Sequence, residues 1–67
     1  MKISELLKKH PSQWTDADIQ LATDEETRRV RAIAEKSGNA ESYINGLEAG
    51  HSIGTHYVLK MVRNYLS

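Results

Sequence analysis

Ala34-Glu35-Lys36-Ser37-Gly38-Asn39-Ala40-Glu41-Ser42-Tyr43-Ile44-Asn45-Gly46-Leu47-Glu48-Ala49-Gly50 is the stretch that decides the fold, because it reads as a helix, a tight turn and a second helix. Gly38 supplies the left-handed conformation that ends a helix at no steric cost. Ahead of it, Val30, Ile33, Ala34 and Ser37 form one apolar stripe. Behind it, Ala40, Tyr43, Ile44 and Leu47 follow the i, i+3, i+4, i+7 rule of an amphipathic helix that is expected to stop at Gly50. Asn39 either extends the turn or caps the second helix. Gly46 weakens that helix by about 1 kcal/mol relative to Ala, unless close packing demands a residue without a side chain.

The flanks supply the helices that would give this pair a core. Ile3, Leu6 and Leu7 sit at helical spacing with Ser4 as a cap, and Pro11 pushes His10 out of the helical region, so a first helix should end near Lys9. Pro11-Ser12-Gln13-Trp14 is a connector, in which Trp14 closes one end of the core. Thr15 caps a second helix that places Asp16 and Asp18 in its first turn, with Ile19, Leu21 and Ala22 behind. Thr23-Asp24-Glu25-Glu26 has the form of a capping box, which predicts a new helix from Asp24. One continuous helix from Asp16 to Ser37 is the alternative. After Gly50, His51-Ser52-Ile53-Gly54 reads as a loop. Thr55 then caps a last helix whose inward face is Val58, Met61, Val62, Tyr65 and Leu66. The expectation is all-α: a compact bundle of about five short helices containing a helix-turn-helix, in a single domain over residues 1–67.

Size and charge bound what such a domain does. The 67 residues contain no cysteine, so neither disulfides nor thiolate metal sites reinforce the core. Apolar residues at 39% and charged ones at 27% are a folding composition rather than a disordered one. Met1 to His10 holds no long apolar run, so neither a signal peptide nor a membrane span is expected, and the cytoplasm is the expected location. Nine basic and nine acidic residues cancel, whereas affinity for nucleic acid rests on Lys and Arg neutralising phosphates. A nucleic-acid binder of this charge must segregate it. Asp16, Asp18, Asp24, Glu25 and Glu26 form an acidic block, Arg28, Arg29, Arg31 and Lys36 follow, and Lys60 and Arg63 stand in a segment free of acids. Solvated helix faces give the same pattern.

Ile33-Ala34-Glu35-Lys36-Ser37-Gly38, then Ser42-Tyr43-Ile44, then Leu47-Glu48 and Gly50 resemble the helix-turn-helix of phage-repressor and Cro-type regulators, the XRE family. A weaker similarity extends over residues 30–66. The resemblance implies that Ala34 lets the two helices cross closely, that Gly38 makes the turn, and that Ile44 and Leu47 anchor the second helix. Asn39, Ala40 and Val30 depart from the family's usual residues. Residues 1–29 carry no family signature.

The resemblance implies a small DNA-binding transcriptional regulator, phage-like in origin, that lays residues 40–49 in the major groove of double-stranded DNA. Arg28, Arg31 and Lys36 would then hold phosphates, and Glu41, Ser42 and Asn45 would face bases or backbone. No Lys or Arg lies within 40–49, although Arg or Lys to guanine is the commonest specific contact. A homodimer is expected with that function, since one short helix reads few bases, and the last helix is its expected interface. The alternative is a protein-interaction module, an inhibitor or adaptor of phage or plasmid type that uses the same fold to bind a protein partner without DNA.

Catalysis is not expected. His51 and His56 are five apart, not at the i, i+4 spacing that puts two metal ligands on one helix face, and Asp16 and Asp18 diverge on a helix. No phosphate-cradling glycine loop is present. No metal or cofactor is expected.

Overall fold

The computed structural model describes residues 1–66. It consists of α1 (Ile3–Leu6), a 3-10 turn (Pro11–Gln13), α2 (Asp16–Lys36) and α3 (Glu41–Leu66). The chain is all-α, with no strand among the described residues, but three α-helices replace the expected five. Two expected breaks are absent, one in each long helix.

α2 starts where the sequence places its cap. The Thr15 hydroxyl accepts from the Asp18 backbone N–H, and the Asp18 carboxylate accepts from that of Thr15, a reciprocal capping box. The second capping box, at Thr23, does not form. Thr23 is fully buried, and its hydroxyl turns back to donate to the Ile19 carbonyl at 2.7 Å, as Thr27 does to Thr23. A threonine hydroxyl can serve either a helix start or the carbonyl one turn behind it, and burial selects the second. The continuous helix weighed as the alternative is the one observed.

α2 ends through Ser37, and Gly38 takes φ +74°, the left-handed residue expected there. The Asn39 side chain donates to the Ala34 carbonyl at 3.1 Å, so Asn39 closes α2. α3 then runs without interruption through Gly46, Gly50 and Gly54, so Gly50 does not stop a helix, residues 51–54 are not a loop, and Thr55 caps nothing. At the N-terminus, Ser4 lies inside α1, and Lys2, without a side-chain bond, occupies its cap position.

The two long helices form an antiparallel hairpin. Arg31 meets Glu48, Glu26 meets His51, and Asp16 meets Arg63, so each step forward along α2 is matched by a step back along α3. The molecule spans 40 × 18 × 15 Å, close to the length of α3 alone at about 1.5 Å per residue. Continuity of α3 fixes one phase for all its residues. Ile44, Glu48, His51, Thr55, Leu59 and Val62 face inward, with Ile44 and Leu59 buried. Tyr43, Val58, Met61, Tyr65 and Leu66, expected inside, are exposed, as is Ile33 on α2.

The core gathers Leu6, Trp14, Ile19, Ala22 and Leu59, with Met1, Ile3 and Val62 packed against it. Trp14 closes one end, 4% exposed. Its indole N–H is shared between the carbonyls of Leu6 at 3.0 Å and Lys9 at 3.3 Å, which satisfies the end of α1. α1 thereby docks on α2, and the 3-10 turn docks on α3. No helix among the described residues is long and apolar enough to cross a membrane.

Two substitutions test this account by urea denaturation. Gly38→Ala forces a side chain into the left-handed region and should lower stability by about 1–2 kcal/mol. Trp14→Phe should cost about 1–3 kcal/mol, because the Lys9 carbonyl loses the indole donor and the Leu6 carbonyl keeps only the Lys9 N–H, while ring packing is largely kept.

Candidate functional site

Two surfaces concentrate the chain's unusual residues. The first is the side of the hairpin near the turn, where α2 carries Arg28 and Arg31 and α3 carries Glu41, Asn45 and Glu48. The hairpin register places Arg31 opposite the first two turns of α3. Its guanidinium donates to Glu35 at 2.9 Å, to Glu41 at 2.6 Å, to Asn45 Oδ1 at 3.1 Å and to Glu48. Every arm of the guanidinium fork is occupied. These bonds, that of Glu48 first and that of Glu41 next, hold the guanidinium pKa above its ordinary value, against partial desolvation.

Of the residues expected to contact DNA, the structure thus brings Arg28, Arg31, Glu41 and Asn45 to one side. Arg28 and Asn45 line a shallow groove of about 470 Å³ together with Asp24, Thr27, Glu48 and Ser52. Lys36, in the last turn of α2, and Ser42, in the first turn of α3, are exposed and do not line that groove. The sequence reading missed Glu35 and Glu48 as partners of Arg31. Glu35 was accessible from the i, i+4 spacing; Glu48 becomes a partner only through the antiparallel register.

A second ionic group lies midway along the hairpin. Glu26 pairs with Arg29, and its Oε1 stands 3.5 Å from His51 Nε2, a charge pair only when the imidazole is protonated. The Arg29 bond holds the Glu26 carboxyl below the glutamate's usual 4.5, opposed by burial and helped by His51. Asp16, bonded to Arg63, and Asp18, bonded to the Thr15 backbone, are likewise lowered below 3.8.

The second surface is the outer face of α3, away from α2. Ile53, Tyr57, Met61 and Tyr65 recur every fourth residue and are 72, 66, 51 and 86% exposed. Beside this row run Gly46, Gly50 and Gly54, also every fourth residue, with open space where each Cβ would stand. Tyr43, Leu47 and Val58 complete the face, and the exposed Lys60 borders it beside Ile53, Tyr57 and Met61. Where this face turns toward α1 and α2, Gly50 and Gly54 border a groove of about 530 Å³ shared with Ile3, Glu26, His51, Val58 and Leu59.

Comparison with protein-family models, with curated proteins and with solved structures gave no match.

The carboxylates with lowered pKa stabilise the fold fully above their unfolded values, and that contribution is lost as pH falls through the folded ones. The melting temperature should therefore drop below pH 4.5, and Glu26→Gln should make that drop shallower. Arg31→Met should lower the melting temperature at low salt, by an amount that shrinks as added salt screens the partly exposed cluster.

Proposed function

We propose that the chain is a protein-interaction module, a helical hairpin that docks on another protein surface through the outer face of α3. The observation that carries this reading is the apolar row Ile53, Tyr57, Met61 and Tyr65, all of it exposed. Soluble monomers rarely leave contiguous apolar patches beyond a few hundred Å² in water, and larger ones mark interaction sites.

The competing reading rests on the XRE-type resemblance and the helix-turn-helix it implies at residues 34–50. In it, residues 40–49 enter the major groove while Arg28, Arg31 and Lys36 hold phosphates. Two features weigh against it. Arg31 would have to release three carboxylates, and those carboxylates, Glu35, Glu41 and Glu48, would then face the phosphates. The face richest in exposed contact area is apolar, whereas nucleic-acid interfaces are polar and strongly basic.

An electrophoretic shift assay on pooled genomic DNA fragments at low salt separates the two readings. The interaction module gives no shifted band. A complex that weakens with added salt and on Arg28→Ala or Lys36→Ala would replace the proposal with the DNA-reading function.

A further inference from the structure

The outer face of α3 has a shape as well as a chemistry, and the shape selects an occupant. Side chains four apart on a helix form a ridge, and a row of small residues four apart forms a groove inclined at the same angle. α3 carries one of each on the same face: the ridge Ile53, Tyr57, Met61, Tyr65 and the groove Gly46, Gly50, Gly54. The groove lies toward the N-terminal half and the ridge toward the C-terminal half.

We infer that this face binds a second copy of the chain, α3 against α3 in antiparallel orientation, each ridge seated in the other copy's glycine groove. This inference rests on the interaction-module reading and names its partner. Reversing one helix brings Tyr57, Met61 and Tyr65 of one copy opposite Gly54, Gly50 and Gly46 of the other, respectively. The two-fold axis passes between Gly54 and Tyr57, and the contact is the same patch on both copies, as a closed two-fold dimer requires. A parallel pair would set ridge against ridge and leave the glycines facing one another across a gap.

Charge and area agree with this occupant. Lys60 borders the face, but the antiparallel register sets it opposite His51 of the other copy and about 13 Å along the axis from the other Lys60, and the chain's formal net charge is zero, so two copies meet without net repulsion. At 66 and 86% exposure, Tyr57 and Tyr65 offer roughly 300 Å² per copy, taking ~200 Å² per aromatic side chain. Ile53, Val58, Met61 and the uncovered glycine backbone bring the two-copy total to the order of 1,000 Å², where specific interfaces begin. The dimer is accordingly a weak one, with a dissociation constant in the micromolar range.

The glycines themselves fit this account. Each lowers helix stability relative to Ala, and none has a neighbour within the chain that a Cβ would meet. The approach of another backbone gives them a reason to be glycine.

Sedimentation equilibrium from low micromolar to millimolar concentration tests self-association, with circular dichroism confirming helicity of each variant. The unaltered chain should sediment as a monomer–dimer mixture. Tyr57→Asp should weaken the dimer at least ~30-fold, as loss of a central contact does. Gly50→Ala should weaken the dimer while raising the melting temperature of the dilute monomer, a combination that a purely structural role for Gly50 does not produce. Orientation is read by disulfide trapping, which the absence of native cysteine makes unambiguous. Gly54→Cys should cross-link to itself under mild oxidation. Gly46→Cys and Tyr65→Cys should cross-link only when mixed. Self-cross-linking of Gly46→Cys, or a chain monomeric at every concentration, overturns the inference. A monomer that co-sediments with phosphatidylcholine–phosphatidylglycerol vesicles overturns it too, and assigns the face to lipid. Monomeric behaviour without a DNA shift would remove the dimer yet leave the interaction-module reading in place.

Discussion

The packing of one uninterrupted α3 along the length of α2 is the constraint on which the rest of the structure depends. With α3 continuous, Ile44 and Leu59 turn toward α2, and everything on the opposite side of α3 is left to solvent. α2 meets it with a small-residue face: Ala22, Thr23, Thr27 and Ala34 are buried, and the two threonine hydroxyls are satisfied by carbonyls of their own helix. Short side chains let the helices approach closely, but they bury little apolar area each. The core is correspondingly thin, and the N-terminal segment thickens it at one end, where Leu6 and Trp14 cover Ile19, Ala22 and Leu59.

Toward the turn, where α1 does not reach, polar contacts do more of the joining. Arg31 ties α2 to two carboxylates and an amide of α3, and Asn39 closes the end of α2. The arginine that looked available for phosphate is the one the hairpin uses to hold its halves together. An exposed arginine in a sequence and a free arginine in a fold differ by what the partner helix brings beside it, and here that is Glu41 and Glu48.

What the sequence made legible was local. Thr15 as a cap, an extended His10 before Pro11, Trp14 as a core residue and Gly38 as a left-handed turn each follow from the chemistry of one residue and its neighbours, and each is found in place, although α1 ends at Leu6 rather than near Lys9. What escaped was the continuity of the long helices. Thr23 with Glu26 carries a genuine capping pattern, and Gly50 to Gly54 a genuine breaking one, but tertiary packing overrides propensities of about 1 kcal/mol. The inward stripes expected for residues 40–49 and 55–66, Tyr43 with Leu47 and Met61 with Tyr65, already share one phase, because equivalent positions lie about five helical turns apart. The observed helix is rotated from that phase, toward the side that carries Glu48, Thr55 and Leu59, and so buries Leu59 and leaves Met61 outside. Apolar spacing alone turns the most apolar side of α3 inward, whereas the ion pairs of Glu48 and the seating of Leu59 under Trp14 decide which side meets α2.

The most direct measurement of the central claim is an assignment of backbone chemical shifts and inter-helix nuclear Overhauser effects in solution. A continuous α3 predicts helical Cα shifts for every residue from Ala49 to His56, with cross-peaks linking Glu26 to His51 and Arg31 to Glu48. Random-coil shifts over Gly50 to Gly54, without the Glu26–His51 contact, would contradict the continuous helix and with it the ridge and groove on its outer face.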